Sequence, residues 1–118
     1  MLSAEETFRR LAIGDPALLA AVADLDDGDP GVCRLDERTE SLIRVAALVP
    51  LDAPQSSYQT AVEATIRAGA SLDDLLAALL AVAGSVGSPR VVSAAPRIAL
   101  AAGYDVDAAL EASDAFGR

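Results

Sequence analysis

Ser56, Ser57, Tyr58 and Gln59 form one polar run, and Glu63 follows it by one helical turn. Two hydroxyls, a phenol and an amide so placed could line a small polar pocket. With a cation added they could do acid–base work. Tyr58, Glu63 and an Arg would suit a lyase or isomerase acting on a small carboxylated substrate. Ser57 is a nucleophile only if a base activates it, and its nearest helical candidates are carboxylates. Arg44, Arg90 and Arg97 are the cations nearest apolar runs. A guanidinium fork grips a carboxylate through two parallel hydrogen bonds. Arg44 and Arg97 therefore join Ser56, Ser57, Tyr58 and Gln59 as candidate ligand-binding residues, and Ser57, Tyr58 and Glu63 are the catalytic candidates. Each has a plainer reading. Ser and Gln wet a helix start, and Tyr58 packs with its hydroxyl outward. Glu63–Arg67 and Glu40–Arg44 are i,i+4 pairs in the order favoured on a solvated helix. An Arg at a helix edge snorkels or bridges subunits.

Other chemistries are excluded by what the chain lacks. It holds one cysteine and no histidine. That removes an internal disulfide, any His-bearing metal site and Ser–His or Cys–His machinery. A peroxide-related oxidoreductase activity would rest on Cys33, which has no resolving partner for a dithiol cycle. Asp24, Asp26, Asp27 and Asp29 invite a calcium reading. The sixth position from Asp24 is Asp29 rather than Gly, and the twelfth is Leu35 rather than Glu, so the cluster reads as a solvated acidic turn. No metal and no other cofactor is expected. The 118 residues carry a net charge of −9. Phosphate backbones and anionic lipid repel such a chain, which argues against nucleic-acid and membrane partners. The start has neither a basic nor an apolar leader region. The longest apolar stretch, Leu75 to Val86, is too short to span a bilayer. A cytoplasmic location is the expectation. Arginine supplies every basic residue and alanine is abundant, a bias that suggests a bacterial, GC-rich source.

The elements that must position these side chains are helical. The length suits one domain, 1–118, with N-terminal helices and a loop over 1–34, a core over 35–105 and a C-terminal helix over 106–118. Ser3 to Glu6 reads as a capping box and Gly14 as a stop. Asp15-Pro16 restarts a helix. Residues 26–34 are a loop. Asp36 caps a helix that Pro50 ends, and Asp52 or Ala53 opens the next, which stops at Gly69. Ser71 to Asp74 is a second capping box, opening a helix from Leu72 to about Val86. Ser88 as cap with Pro89 behind it starts another, with Pro96 inside it as a kink or break. Tyr104 or Asp105 opens the last, carrying Leu110 and Phe116. No strand pattern appears, so the expectation is an all-α bundle of about six or seven helices.

The helix from Leu72 is apolar on every side. From Leu75 to Ala83 each residue is Leu, Ala or Val. A helix of that kind must be covered all round. Either a second copy of the chain covers the outer face, which predicts a homo-oligomer, or the other helices ring it within one chain.

The order of motifs carries a resemblance. Leu35-Asp36-Glu37-Arg38-Thr39 with Leu42-Ile43, then Ala61 to Asp74 with Gly69 and Ser71, then Gly87-Ser88-Pro89, fall in sequence up to Gly103-Tyr104-Asp105. From Leu35 to Asp105 the chain resembles the carboxymuconolactone decarboxylase family, which includes the alkylhydroperoxidase D-like proteins. The resemblance implies an alkylhydroperoxidase D-like helical bundle that assembles as a homotrimer or homohexamer. It also implies where chemistry would sit. The family's Cys-x-x-Cys pair, or a Glu in the second Cys slot, with a His four residues on, would fall at Pro54, Ser57 and Ala61. None of the three matches. The expectation is therefore a homo-oligomeric small-molecule-binding or structural module without that Cys/His chemistry. Whether it is an enzyme stays open; if it is one, a lactone decarboxylase-like lyase fits better than a thiol peroxidase.

Overall fold

Ser3, Asp15, Asp36, Ser71 and Asp105 each hold the first turn of a helix, as their positions predict. Asp36 accepts from the Thr39 amide at 2.8 Å and its hydroxyl at 2.9 Å. Ser71 and Asp74 form the full reciprocal box, with bonds of 3.1 and 2.9 Å. Asp105 accepts from the Ala108 amide at 3.0 Å and Asp15 from the Ala17 amide at 3.0 Å. At Ser3 only half the box forms: its hydroxyl accepts from the Glu6 amide at 3.1 Å. The Glu6 carboxylate turns instead to Arg9 and Arg10, because two cations one turn away outcompete a single backbone amide.

The computed structural model describes residues 2–23 and 33–115; the acidic cluster at 24–29 and Phe116 lie outside the described residues. Among them run seven helices and no strand: α1 (Ala4–Ala12), α2 (Pro16–Ala23), α3 (Glu37–Leu48), α4 (Gln55–Arg67), α5 (Leu72–Val86), α6 (Ser88–Ala101) and α7 (Val106–Ala115). None is long and apolar enough to cross a membrane. The chain divides into two compact units, Met1–Leu35 and Asp36–Arg118. The first holds α1 packed on α2.

In the second unit α3 packs on α4 and α5, α6 packs on the same two helices, and α7 leans on α6. The four helices α3 to α6 thus close a ring around one core. Val45 of α3, Tyr58 and Val62 of α4, Leu75 and Leu79 of α5, and Ala94 and Ile98 of α6 fill it. Thr65 is buried at the α3–α4 seam. Its hydroxyl donates to the Ala61 carbonyl at 2.7 Å and reaches the Ser41 carbonyl at 3.3 Å.

Three local expectations need correction. First, α4 starts at Gln55 with Pro54 as its N-cap, not at Asp52 or Ala53. Asp52 belongs to the closure of α3: its amide bonds the Val49 carbonyl and the Ala53 amide bonds the Leu48 carbonyl. Second, Ser88 is the first residue of α6 and not its cap. Third, Pro96 lies inside α6 without breaking it. Pro96 has no N–H for the Val92 carbonyl, and Val92 is exposed, where water can serve that oxygen. The ringed-helix alternative for α5 is not what forms. Leu75 and Leu79 are buried, but Leu76 and Leu80 are 51% and 60% exposed.

Candidate functional site

The closure of α3 repeats a pattern found at three other helix ends. After α1, α4 and α6, two backbone bonds close the end around Gly14, Gly69 and Gly103, each with positive φ. This is the glycine-centred closure in which the left-handed residue costs least. After α3 the same pair of bonds closes around Asp52, at φ +49. Among the described residues it is the one non-glycine with positive φ. Aspartate tolerates that backbone better than most residues, and its side chain is thereby aimed away from α3.

It meets α6. The Asp52 carboxylate lies 3.3 Å from Arg90 Nη1 and 3.8 Å from Arg97 Nη1, and accepts from the Ser93 hydroxyl at 3.2 Å. Arg97 Nη1 also donates to the Ala53 carbonyl at 2.5 Å. Gln55 Nε2 donates to the Arg97 carbonyl at 2.8 Å. The α3–α4 turn, the start of α4 and one face of α6 are thus joined by polar contacts. Tyr58 sits behind them, 1% exposed. Burial raises its phenol above the ordinary 10.0, the Arg97 charge lowers it and the Asp52 charge raises it. α4 has no side-chain cap, and no acidic residue stands in its first turn.

The residues read from the sequence fall into four places. Tyr58 and Arg97 come together in this cluster. Tyr58 is a core residue, so the reading with its hydroxyl outward is corrected: α4 turns the row Tyr58, Val62 and Thr65 inward. Ser56 and Gln59 are exposed and Ser57 is half-buried at the helix start. Glu63 faces out and accepts from Gln59 Nε2 at 2.8 Å. The expected Glu63–Arg67 pair does not form among the described residues; the shorter Gln59 amide reaches the carboxylate from the preceding turn. Arg44 stands on α3, 3.8 Å from Glu40, as the spacing predicts. Cys33 is exposed and lies in the first unit. Sequence reasoning missed Asp52, Ser93 and Gln55. The spacing of Arg90, Ser93 and Arg97 marks one helix face, but nothing local joins it to a turn about 40 residues away.

A second feature is an open apolar groove of about 570 Å³ between α3 and α5. Leu42, Ile43 and Ala46 form one wall, and Ala78, Ala81 and Val82 the other; Thr39, Asp74 and Ser85 edge it. Arg38 of α3 reaches Asp74 of α5 at 3.0 Å. No group of His, Cys, Asp or Glu that could hold a metal occurs among the described residues.

These features define an all-α protein with a polar cluster at the start of one helix and an apolar groove beside another. The stripe Pro54, Ser57 and Ala61, where the resemblance places a thiol pair and an imidazole, carries neither. The chain belongs to the carboxymuconolactone decarboxylase family, whose model matches residues 16–112. The match reaches further than the resemblance over 35–105, taking in α2 and most of α7. No curated protein and no solved structure matches the chain.

Proposed function

We propose that this family member is a homo-oligomeric small-molecule-binding or structural module that works without the family's Cys/His chemistry. The observation that carries the assembly is the outer face of α5. Leu72, Leu76 and Leu80, spaced by four, form a ridge that is half-exposed or more. The α3–α5 groove runs beside that ridge, and Ile43 on its far wall is 52% exposed. With a ridge and a groove side by side, the ridge of one copy can seat in the groove of the next, and such contacts close into a ring. Apolar exposure of this extent on one small unit favours a protein partner over open water, and a second copy presents the matching surface. The resemblance supports a trimer or hexamer.

Binding is favoured over catalysis by the placement of the candidate acid–base pair. Tyr58 is interior and Glu63 is solvent-facing, so one substrate does not reach both. A raised phenol is also a poor base near neutral pH. The lyase or isomerase alternative therefore lacks its acid–base pair, and the peroxide alternative rests on Cys33 alone.

Native mass spectrometry of gently purified protein tests the reading. A subunit number divisible by three, lost in Leu76→Glu/Leu80→Glu with helical content unchanged, is expected; a retained mass would report the ligand. A monomeric wild-type chain sinks the assembly. Turnover of lactones or peroxides that a Ser57, Tyr58 or Cys33 substitution abolishes sinks the non-catalytic reading.

A further inference from the structure

Arg90, Ser93 and Arg97 are three and four residues apart on α6, so they share one face. All three turn to one acceptor, the Asp52 carboxylate. Two cations face one anion, an excess of positive charge on a chain of net charge −9. The contacts to Asp52 and Ala53 draw on Nη1 of each arginine. A guanidinium carries several further N–H donors in a fixed fork, and these remain for another acceptor. Arg97 is held in place, with Nη1 on the Ala53 carbonyl and its own carbonyl bonded by Gln55.

Asp52 itself is the second line of argument. At three equivalent helix closures the left-handed residue is glycine. Backbone preference alone would put glycine at 52 as well. What the residue adds is a carboxylate between two arginines. It rides on a turn between Pro50 and Pro54, with its side chain 49% exposed, so it can swing into solvent without opening a helix.

We infer that the Arg90–Ser93–Arg97 face of α6 is a binding site for a small carboxylate, and that Asp52 occupies it as an internal stand-in. A ligand carboxylate takes the two guanidinium groups and the hydroxyl, and Asp52 moves out. Because the stand-in is tethered, it competes at high effective concentration and lowers the apparent affinity of the wild-type chain. The inference rests on the small-molecule reading above and names its ligand class.

The test is a titration with succinate at low ionic strength, with sodium chloride at matched ionic strength as control. The nine basic residues are all arginine, so ¹⁵N-arginine labelling lets each Nε–H report by NMR. Asp52→Asn keeps a residue that tolerates the left-handed turn and removes the charge. In this variant the Arg90 and Arg97 signals are expected to move saturably, at about one-tenth of the succinate that wild type needs. Adding Arg90→Gln should abolish the gain. Asp52→Gly, which suits the same backbone, should reproduce it. If succinate moves all nine signals alike, as chloride does, or if neither Asp52 variant binds more tightly than wild type, the inference is overturned. Subunit number is read separately. An intact oligomer whose Arg90 and Arg97 ignore succinate sinks this site alone; a monomer that still binds succinate sinks only the assembly.

Discussion

Asp36 and Asp74 show how much a single carboxylate does at a helix start. Bonds from the Thr39 backbone and hydroxyl hold the Asp36 carboxyl below its ordinary 3.8. The Ser71 amide, then its hydroxyl and Arg38, do the same for Asp74. A carboxyl depressed in the folded state contributes stability that is complete above the unfolded value. That contribution is lost as pH falls through the folded value. The second unit should therefore weaken progressively below about pH 4. Asparagine caps a helix nearly as well as aspartate but does not titrate there. Asp36→Asn should leave stability near neutral pH little changed and flatten the acid limb. Urea midpoints measured from neutral to acid pH check this, and parallel acid limbs for variant and wild type would discard it.

At the scale of the element, α5 separates what folds the chain from what the chain offers to others. Leu75 is fully buried and Leu80 is 60% exposed on the same helix. Leu75→Ala should cost about 2–5 kcal/mol, the range for emptying a packed leucine site. Leu80→Ala should cost about 0.5 kcal/mol or less in the dissociated chain. Denaturant unfolding at concentrations low enough to dissociate any assembly measures both, and equal losses would contradict the division between the two faces. The ends of α5 were legible in the sequence because they are local: Ser71 and Asp74 hold the start and Gly87 follows the end. The start of α4 was not. Asp52 reads as an N-cap by residue type, yet the backbone spends it on closing α3, and Pro54 takes the cap. Pro96 misled for a related reason, since packing of α6 against α4 and α5 holds the helix through a residue that disfavours it. The polar cluster lay further from view. Arg97 and Tyr58 could be picked out by type, but only the folded ring brings the turn at 52 to the face holding Arg90 and Ser93.

Over the whole molecule, net charge and apolar surface pull in opposite directions. Each chain carries −9, and an oligomer gathers several such charges into one particle. Self-repulsion then opposes an assembly built on the α5 leucines. The two effects respond differently to salt. Repulsion reaches about 30 Å at 0.01 M salt and about 8 Å at 0.15 M, whereas apolar burial is not screened. Between Asp74 and Arg90 the α5 face offers no charge of either sign, so few interfacial ion pairs are there for salt to weaken. Assembly should therefore tighten as salt rises from about 0.01 M to about 0.15 M, the range over which screening changes most. Sedimentation or light scattering across a dilution series at each salt level measures the dissociation constant. Weaker assembly at the higher salt would mean that paired charges hold the subunits together. The interface would then lie on surfaces rich in Arg, Asp and Glu and away from the leucine ridge, and Leu76→Glu/Leu80→Glu would leave the subunit number unchanged.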